Sequence, residues 1–66
     1  MRVNLTEERL RRGKSVAQMA IEIGVPEHVL RYAEKGGRPL PENALKIANH
    51  YGVDVIAQWP PMERAA

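Results

Sequence analysis

The segment Ser15–Gly36, SVAQMAIEIGVPEHVLRYAEKG, constrains the fold of this chain more than any other part. Ser15 and Gln18 have the capping-box spacing that begins a helix, and Gly24 can adopt the left-handed conformation that ends one. Pro26 has a fixed φ that suits the first turn of a new helix. The segment therefore predicts two short helices joined by a turn of about three residues.

Apolar residues recur at helical spacing on one face of each of these two helices. They are Met19, Ala20 and Ile23 in the first helix and Val25, Leu30 and Ala33 in the second. Ala20 precedes Gly24 by four residues, so we expect these two small residues to form a packing pair where the helices approach. The opposite face of the second helix is polar and carries Glu27, His28, Arg31, Tyr32 and Lys35.

A first helix is predicted before this pair. Asn4 or Thr6 can cap its beginning, and it runs to about Arg12 before Gly13 ends it. After the pair, the segment Arg38–Pro41 is predicted to be an extended loop, because each proline restricts the residue before it.

Two more helices are predicted after this loop. The fourth begins at Pro41 and ends at Gly52, and a short fifth follows Asp54 and is stopped by Pro60, leaving a loose tail over residues 60–66. Because no strand pattern appears, the expected fold class is all-α, with five short helices around one core. The predicted core consists of Leu5, Leu10, Met19, Ala20, Ile23, Val25, Leu30, Ala33, Leu45, Ala48, Tyr51, Val53, Ile56 and Trp59.

Length and composition limit the classes of protein to which the chain can belong. The 66 residues suffice for one small domain, which we take as residues 1–66 with the two-helix unit at about 15–36. There is no cysteine, and the two histidines do not lie one helical turn apart, so neither a metal nor another cofactor is expected. A chain this small offers little room for a water-excluding pocket, and we predict that it is not an enzyme.

The chain has no apolar run near the roughly 18 residues that a membrane span needs, and its N-terminus lacks the apolar stretch of a signal peptide. We therefore expect a location in the bacterial cytosol or nucleoid, including that of an infected host cell, and no membrane partner. The net charge is only +2, but basic residues flank the two-helix unit. This distribution is typical either of a phosphate-binding surface or of a solvated charged surface.

From Arg9 to Trp59 the chain resembles the lambda-Cro/CI-like (XRE-type) helix-turn-helix family of small DNA-binding repressors. The resemblance is carried by Arg9, by SVAQMAIEIGV in place of the family's T-Q-x-x-L-A-x-x-x-G-V, by Leu30, Glu34, Gly36 and Pro39, and by LKIANHYGVD. It implies a compact five-helix lambda-repressor-like domain. It also implies an ion pair between Arg9 and Glu34, which would join the first helix to the end of the third.

The resemblance implies that the third helix enters the major groove of double-stranded DNA with its outer residues facing base edges. The candidates for base readout are Glu27, His28, Arg31 and Tyr32. Glu27 can accept from a cytosine amino group, His28 and Arg31 can donate to guanine, and Val29 is a weaker candidate for a thymine methyl. Tyr32 can touch a thymine methyl; the alternative is that its ring only covers the flank of the helix.

The candidates for phosphate contact are Arg12, Lys14, Ser15, Lys35 and Arg38. Two of the residues before and within the second helix depart from the family pattern. Val16 stands where the family usually has a glutamine that contacts phosphate, so that contact falls to Ser15, a backbone N–H or Arg12. Lys14 replaces a residue that is usually apolar.

One helix reads only about four or five base pairs, so a homodimer on an inverted-repeat operator is the expected arrangement. The interface candidates are Val55, Ile56 and Trp59 at the C-terminal helix. The alternatives are that Trp59 closes the core of its own chain and that dimers form only on DNA.

The function expected from the resemblance is that of a sequence-specific transcriptional regulator. A Cro-like repressor of a phage or mobile element is favoured because no residues remain in the chain for an effector-sensing domain. Two alternatives stay open: a DNA-binding recombination accessory factor, and an antitoxin or adaptor that uses the same fold to hold a protein partner.

Overall fold

A computed structural model describes residues 3–60 and folds them into five α-helices. The helices are α1 (Leu5–Arg11), α2 (Val16–Ile23), α3 (Glu27–Glu34), α4 (Pro41–Tyr51) and α5 (Val55–Gln58). Residues 3–60 contain no strand, and the predicted all-α fold class is confirmed. Within that range no helix has the length and apolar character needed to cross a membrane. Beyond Pro60, the predicted loose tail lies outside the described residues.

Local signals fix the junction between α2 and α3. The Ser15 hydroxyl accepts a hydrogen bond from the Gln18 N–H at 3.1 Å, and the Gln18 side chain accepts one from the Ser15 N–H at 2.9 Å, which confirms the capping box. Gly24 ends α2 with a φ of +92°, and its N–H donates to the Ala20 carbonyl at 2.8 Å. Pro26 is the N-cap of α3 and not, as predicted, part of its first turn.

Gly24 is needed for its backbone conformation, and the prediction that it forms a packing pair with Ala20 is wrong. A Cβ atom at Gly24 would meet nothing within 4 Å beyond its chain neighbours, so no residue packs into the space that its missing side chain leaves. Its positive φ is the real constraint, because residues with a side chain rarely adopt that conformation. Ala20 alone is buried in the core.

One apolar core joins the helices. It consists of Leu5, Met19, Ala20, Val25, Leu30, Ala33, Ala44, Ile47, Ala48, Tyr51 and Trp59, with Ile23 and Val53 partly buried against it. Its largest fully buried side chains are Met19, Leu30 and Ile47, which come from α2, α3 and α4. Because Leu30 and Ala33 both face this core, α3 has a defined inner face and therefore a defined outer face.

Three residues predicted for the core lie on the surface instead. Leu10 and Ile56 are 60% exposed, and Leu45 is 50% exposed. Along α4 the buried side chains are those of Ala44, Ile47, Ala48 and Tyr51. Leu45 lies about 100° around the helix from Ala44 and so points away from the core. Ile47, which the sequence analysis left out, occupies the buried position.

The Arg9–Glu34 ion pair implied by the family resemblance is present. Arg9 Nε and Nη2 donate to the two carboxylate oxygens of Glu34 at 2.7 and 3.2 Å, and the side chains are only 12% and 8% exposed. Thr6 Oγ1 donates to the same carboxylate at 3.1 Å, and Arg9 Nη1 donates to the Lys14 carbonyl at 2.9 Å. The hydrogen bond to Glu34 raises the pKa of Arg9 above its ordinary value.

Gln58 and Trp59, near the C-terminal end of the described chain, both make long-range contacts. The buried Gln58 side chain accepts from the Val3 N–H at 2.8 Å and donates to the Val3 carbonyl at 2.9 Å, which joins the two ends of the fold. Trp59, only 3% exposed, donates its indole N–H to the Gly37 carbonyl at 3.1 Å. The loop between α3 and α4 is therefore attached to the residues that follow α5.

We expect Glu34→Leu to lower the free energy of unfolding by about 3 kcal/mol, because it leaves a nearly buried guanidinium without its carboxylate. The double variant Arg9→Met, Glu34→Leu should be more stable than Glu34→Leu alone, since apolar side chains then replace both charges. Urea unfolding followed by the fluorescence of Trp59, the only tryptophan of the chain, measures both variants. A further loss of stability in the double variant would contradict this account.

The Tyr51 hydroxyl is buried and has no hydrogen-bond partner among residues 3–60. Tyr51→Phe should therefore leave the free energy of unfolding at pH 7 unchanged or slightly higher, because it removes an unsatisfied polar group. Burial also raises the pKa of the Tyr51 phenol, so folding favours its neutral form. This preference costs no stability below about pH 10, and the folded state loses stability as the pH rises through the raised pKa. Denaturation curves at pH 7 to 11 should show that the free energy of unfolding falls less at alkaline pH in Tyr51→Phe than in the wild type. An equal fall would show that ionisation of Tyr51 does not cause it.

Candidate nucleic-acid interface

The outer face of α3 carries the four side chains predicted to read bases. Leu30 and Ala33 are buried and hold the inner face of the helix against the core. The side chains exposed on the outer face are those of Glu27, His28, Arg31 and Tyr32. The structure thus brings these four candidates together on one accessible surface.

Two of these side chains bind each other. Arg31 Nε and Nη2 donate to the same carboxylate oxygen of Glu27 at 3.0 and 2.5 Å, one helical turn apart. Both side chains are exposed, and an exposed pair of this kind contributes only about 0.3–0.5 kcal/mol. Arg31 can therefore exchange its partner for a base or a phosphate, and Glu27 can exchange its partner for a base amino group, at little cost.

The Tyr32 ring lies against the loop that follows α3. A Cβ atom added to Gly37 would overlap the ring, so the ring occupies the space beside the Gly37 backbone. The ring therefore packs on the loop, yet the residue remains 55% exposed. Both a covering role and a contact with a ligand are open to it.

A cleft of about 260 Å³ separates the outer face of α3 from the loop that leads to α4. Its lining is largely apolar and includes Val29, Pro39 and Leu40, with His28 and Arg38 beside them. The cleft is completed by Tyr32 and Asn43. Two of the base-reading candidates, His28 and Tyr32, therefore line the same cleft as Arg38 of the loop.

Of the phosphate candidates that follow α3, Lys35 is the C-cap of the helix and is exposed. Arg38 is also exposed, but its Nη1 donates to the Pro60 carbonyl at 2.7 Å. This hydrogen bond gives Arg38 a structural partner that the sequence analysis did not foresee.

The phosphate candidates that precede α2 also have partners within the chain. Arg12 Nη1 contacts the Glu8 carboxylate at 2.9 Å, and Lys14 Nζ contacts the Glu22 carboxylate at 2.5 Å. Arg12 holds the pKa of Glu8 below its ordinary value, and Lys14 does the same for Glu22. The Ser15 hydroxyl is engaged in the capping box.

The prediction that Trp59 anchors a dimer is wrong, because its side chain is buried in the core of its own chain. The alternative reading, that Trp59 closes that core, matches the structure. On the same short helix Ile56 is exposed and Val55 is partly buried. Ile56 and Val55 therefore remain accessible to a second copy of the chain.

Gly37 is the residue of this surface that sequence reasoning missed. From the sequence, Gly36 and Gly37 indicate only that α3 ends near them, and such a stop signal does not indicate which of the two glycines needs open space. The ring of a residue five positions earlier creates that need, and no spacing rule predicts it.

Comparison with known proteins bears on this surface. A family model described as helix-turn-helix matches residues 5–56, which span α1 to α4 and the beginning of α5. Neither the curated proteins nor the solved structures gave a significant match. The matched segment includes the capped α2, the left-handed turn at Gly24 and the exposed face of α3. The chain belongs to the Cro/C1-type helix-turn-helix family and is a DNA-binding regulator domain.

Proposed function

We propose that this chain is a sequence-specific transcriptional regulator that reads double-stranded DNA by placing α3 in the major groove. The observation that carries the proposal is the outer face of α3, where hydrogen-bonding side chains are exposed on a helix anchored by Leu30 and Ala33. Arg31 supplies the forked donor that suits a guanine, and His28 a second donor. Lys35 and Arg38, at the end of the helix and in the next loop, supply phosphate contacts that hold the register.

A Cro-like repressor of a phage or mobile element is the form of regulator that we propose. Repression of this kind requires only that the protein occupy its operator. The exposed outer face of α3, with Lys35 and Arg38 beside it, supplies the contacts that such occupancy requires.

We further propose that two copies bind an inverted repeat. A single α3 reaches only about four or five base pairs, and a two-fold pair doubles the length of sequence that is read. With Trp59 buried, the surface of α5 available for pairing is that of Ile56 with Val55 beside it.

Selection of bound duplexes from a random pool, repeated at several salt concentrations, tests the proposed function. The expected result is a palindromic motif whose affinity falls steeply with salt. Steep salt dependence without a motif would instead support an architectural or recombination accessory factor. No binding at any salt concentration would favour an antitoxin or adaptor, for which Ile21 on α2, at 83% exposed, offers an apolar contact to a protein partner.

Arg31→Ala and Lys35→Ala should have different effects on the selected motif. Arg31→Ala should relax the preference at one position of each half-site, with a loss of about 1–3 kcal/mol on the preferred sequence. Lys35→Ala should weaken binding to all sequences alike and reduce the salt slope by about one unit. An unchanged motif for Arg31→Ala would refute its role in base readout.

Ile56→Asp should weaken dimer formation, because it places a charge in the proposed contact. The monomer should keep its stability, since Ile56 is 60% exposed and not part of the core. Leu10→Asp is the matched control, because Leu10 is equally exposed but lies on α1. Sedimentation with and without operator DNA measures both variants; equal effects on dimer formation would exclude α5 as the contact.

A further inference from the structure

Gly37 differs from the other glycines described in residues 3–60 because it needs space and not a special backbone conformation. The glycines with positive φ are Gly13, Gly24, Gly36 and Gly52, and at each of them a Cβ atom would meet nothing within 4 Å. At Gly37 the reverse holds. An added Cβ atom would lie at nearly equal distances from Cζ, Cε1 and Cε2 of Tyr32, which places it against the face of the ring.

The backbone of Gly37 is held from two sides and cannot easily withdraw from this ring. Its N–H donates to the Tyr32 carbonyl at 3.0 Å, and its carbonyl accepts from the Trp59 indole at 3.1 Å. Trp59 is itself buried in the core. A side chain added at Gly37 must therefore displace the Tyr32 ring and not the loop.

The ring has room to move when it is displaced. It is the far end of a flexible side chain, and Tyr32 is more than half exposed. The cleft of about 260 Å³ lies beside it, with Val29 and Leu40 among the other lining residues. Adding a methyl group at Gly37 therefore changes where the ring lies while the fold is kept.

We infer that Gly37 is a specificity-determining position that contacts no base and acts through Tyr32. Because it lacks a side chain, the ring rests on the loop in one defined place beside His28 and Val29 before DNA binds. A ring fixed in advance loses little freedom on binding and presents the same edge to every sequence. The inference depends on the proposed function, in which Tyr32 faces the bases.

Gly37→Ala, Tyr32→Ala and the double variant test this inference by selection from random duplexes and by affinity for the wild-type site. Gly37→Ala should lower that affinity by about tenfold, the range of one good base contact. It should alter the same motif positions as Tyr32→Ala and leave the position read by Arg31 unchanged. In the Tyr32→Ala background, Gly37→Ala should have no further effect, because the ring through which it acts is absent.

Gly36→Ala is the matched control for damage to the loop. Gly36 has a φ of +98°, and a Cβ atom there would meet nothing within 4 Å, so alanine strains the backbone without touching the ring. We expect this variant to lower the midpoint of thermal unfolding while the selected motif stays the same. An equal change of motif in Gly36→Ala and Gly37→Ala would show that loop strain, and not the ring position, alters specificity.

Proton NMR of the free protein gives a readout that does not depend on DNA. The α protons of Gly37 should be shielded by the aromatic ring in the wild-type chain and should lose that shielding in Tyr32→Ala. Absence of shielding in the wild type overturns the inference. The inference is also wrong if Gly37→Ala keeps the wild-type motif or weakens binding to all sequences alike. It is equally wrong if Gly37→Ala still lowers affinity in the Tyr32→Ala background. If the wild-type chain selects no motif, the proposed function fails together with the inference. If the wild type selects a motif and only the Gly37 results differ from expectation, the inference alone fails.

Discussion

The nearly buried ion pair between Arg9 and Glu34 is the contact on which the arrangement of the other elements depends. Glu34 is the last residue of α3, and the Arg9 guanidinium also donates to the carbonyl of Lys14, the residue before the N-cap of α2. One side chain of α1 therefore contacts both the end of α3 and the backbone that leads into α2. Because α3 is only eight residues long, fixing its end largely fixes the direction of its outer face.

Features set by neighbouring residues were predictable from the sequence. The capping box of α2, the left-handed Gly24 and the first residue of α4 at Pro41 each depend on contacts within a few positions, and the structure reproduces them. Features set by residues far apart in the sequence were not predictable. Gln58 appears in the sequence as an ordinary polar residue of a short helix, and its pairing with Val3 joins positions 55 residues apart.

The candidate site shows the same division. Periodicity and the family resemblance together identified which side chains α3 exposes, since a helix with one buried face must present the others. They could not show that Arg38 is engaged by the Pro60 carbonyl or that Trp59 turns inward, because both depend on how the chain returns to the loop after α5. The error at Leu45 has a simpler origin: Leu45 and Ile47 are both large apolar residues of α4, and only Ile47 lies on the buried face of the helix.

The pairing of Glu27 with Arg31 affects how the protein would discriminate against DNA sites that lack the preferred bases. It makes the middle of the outer face of α3 electrically neutral, so attraction to any duplex, whatever its sequence, comes from the basic residues at the edges. Under the proposed function, a site that offers a guanine to Arg31 and a cytosine amino group to Glu27 gives both side chains new partners. A site without that guanine either leaves the pair closed against the groove or leaves both charges without a partner. Discrimination then comes as much from the rejection of poor sites as from attraction to good ones.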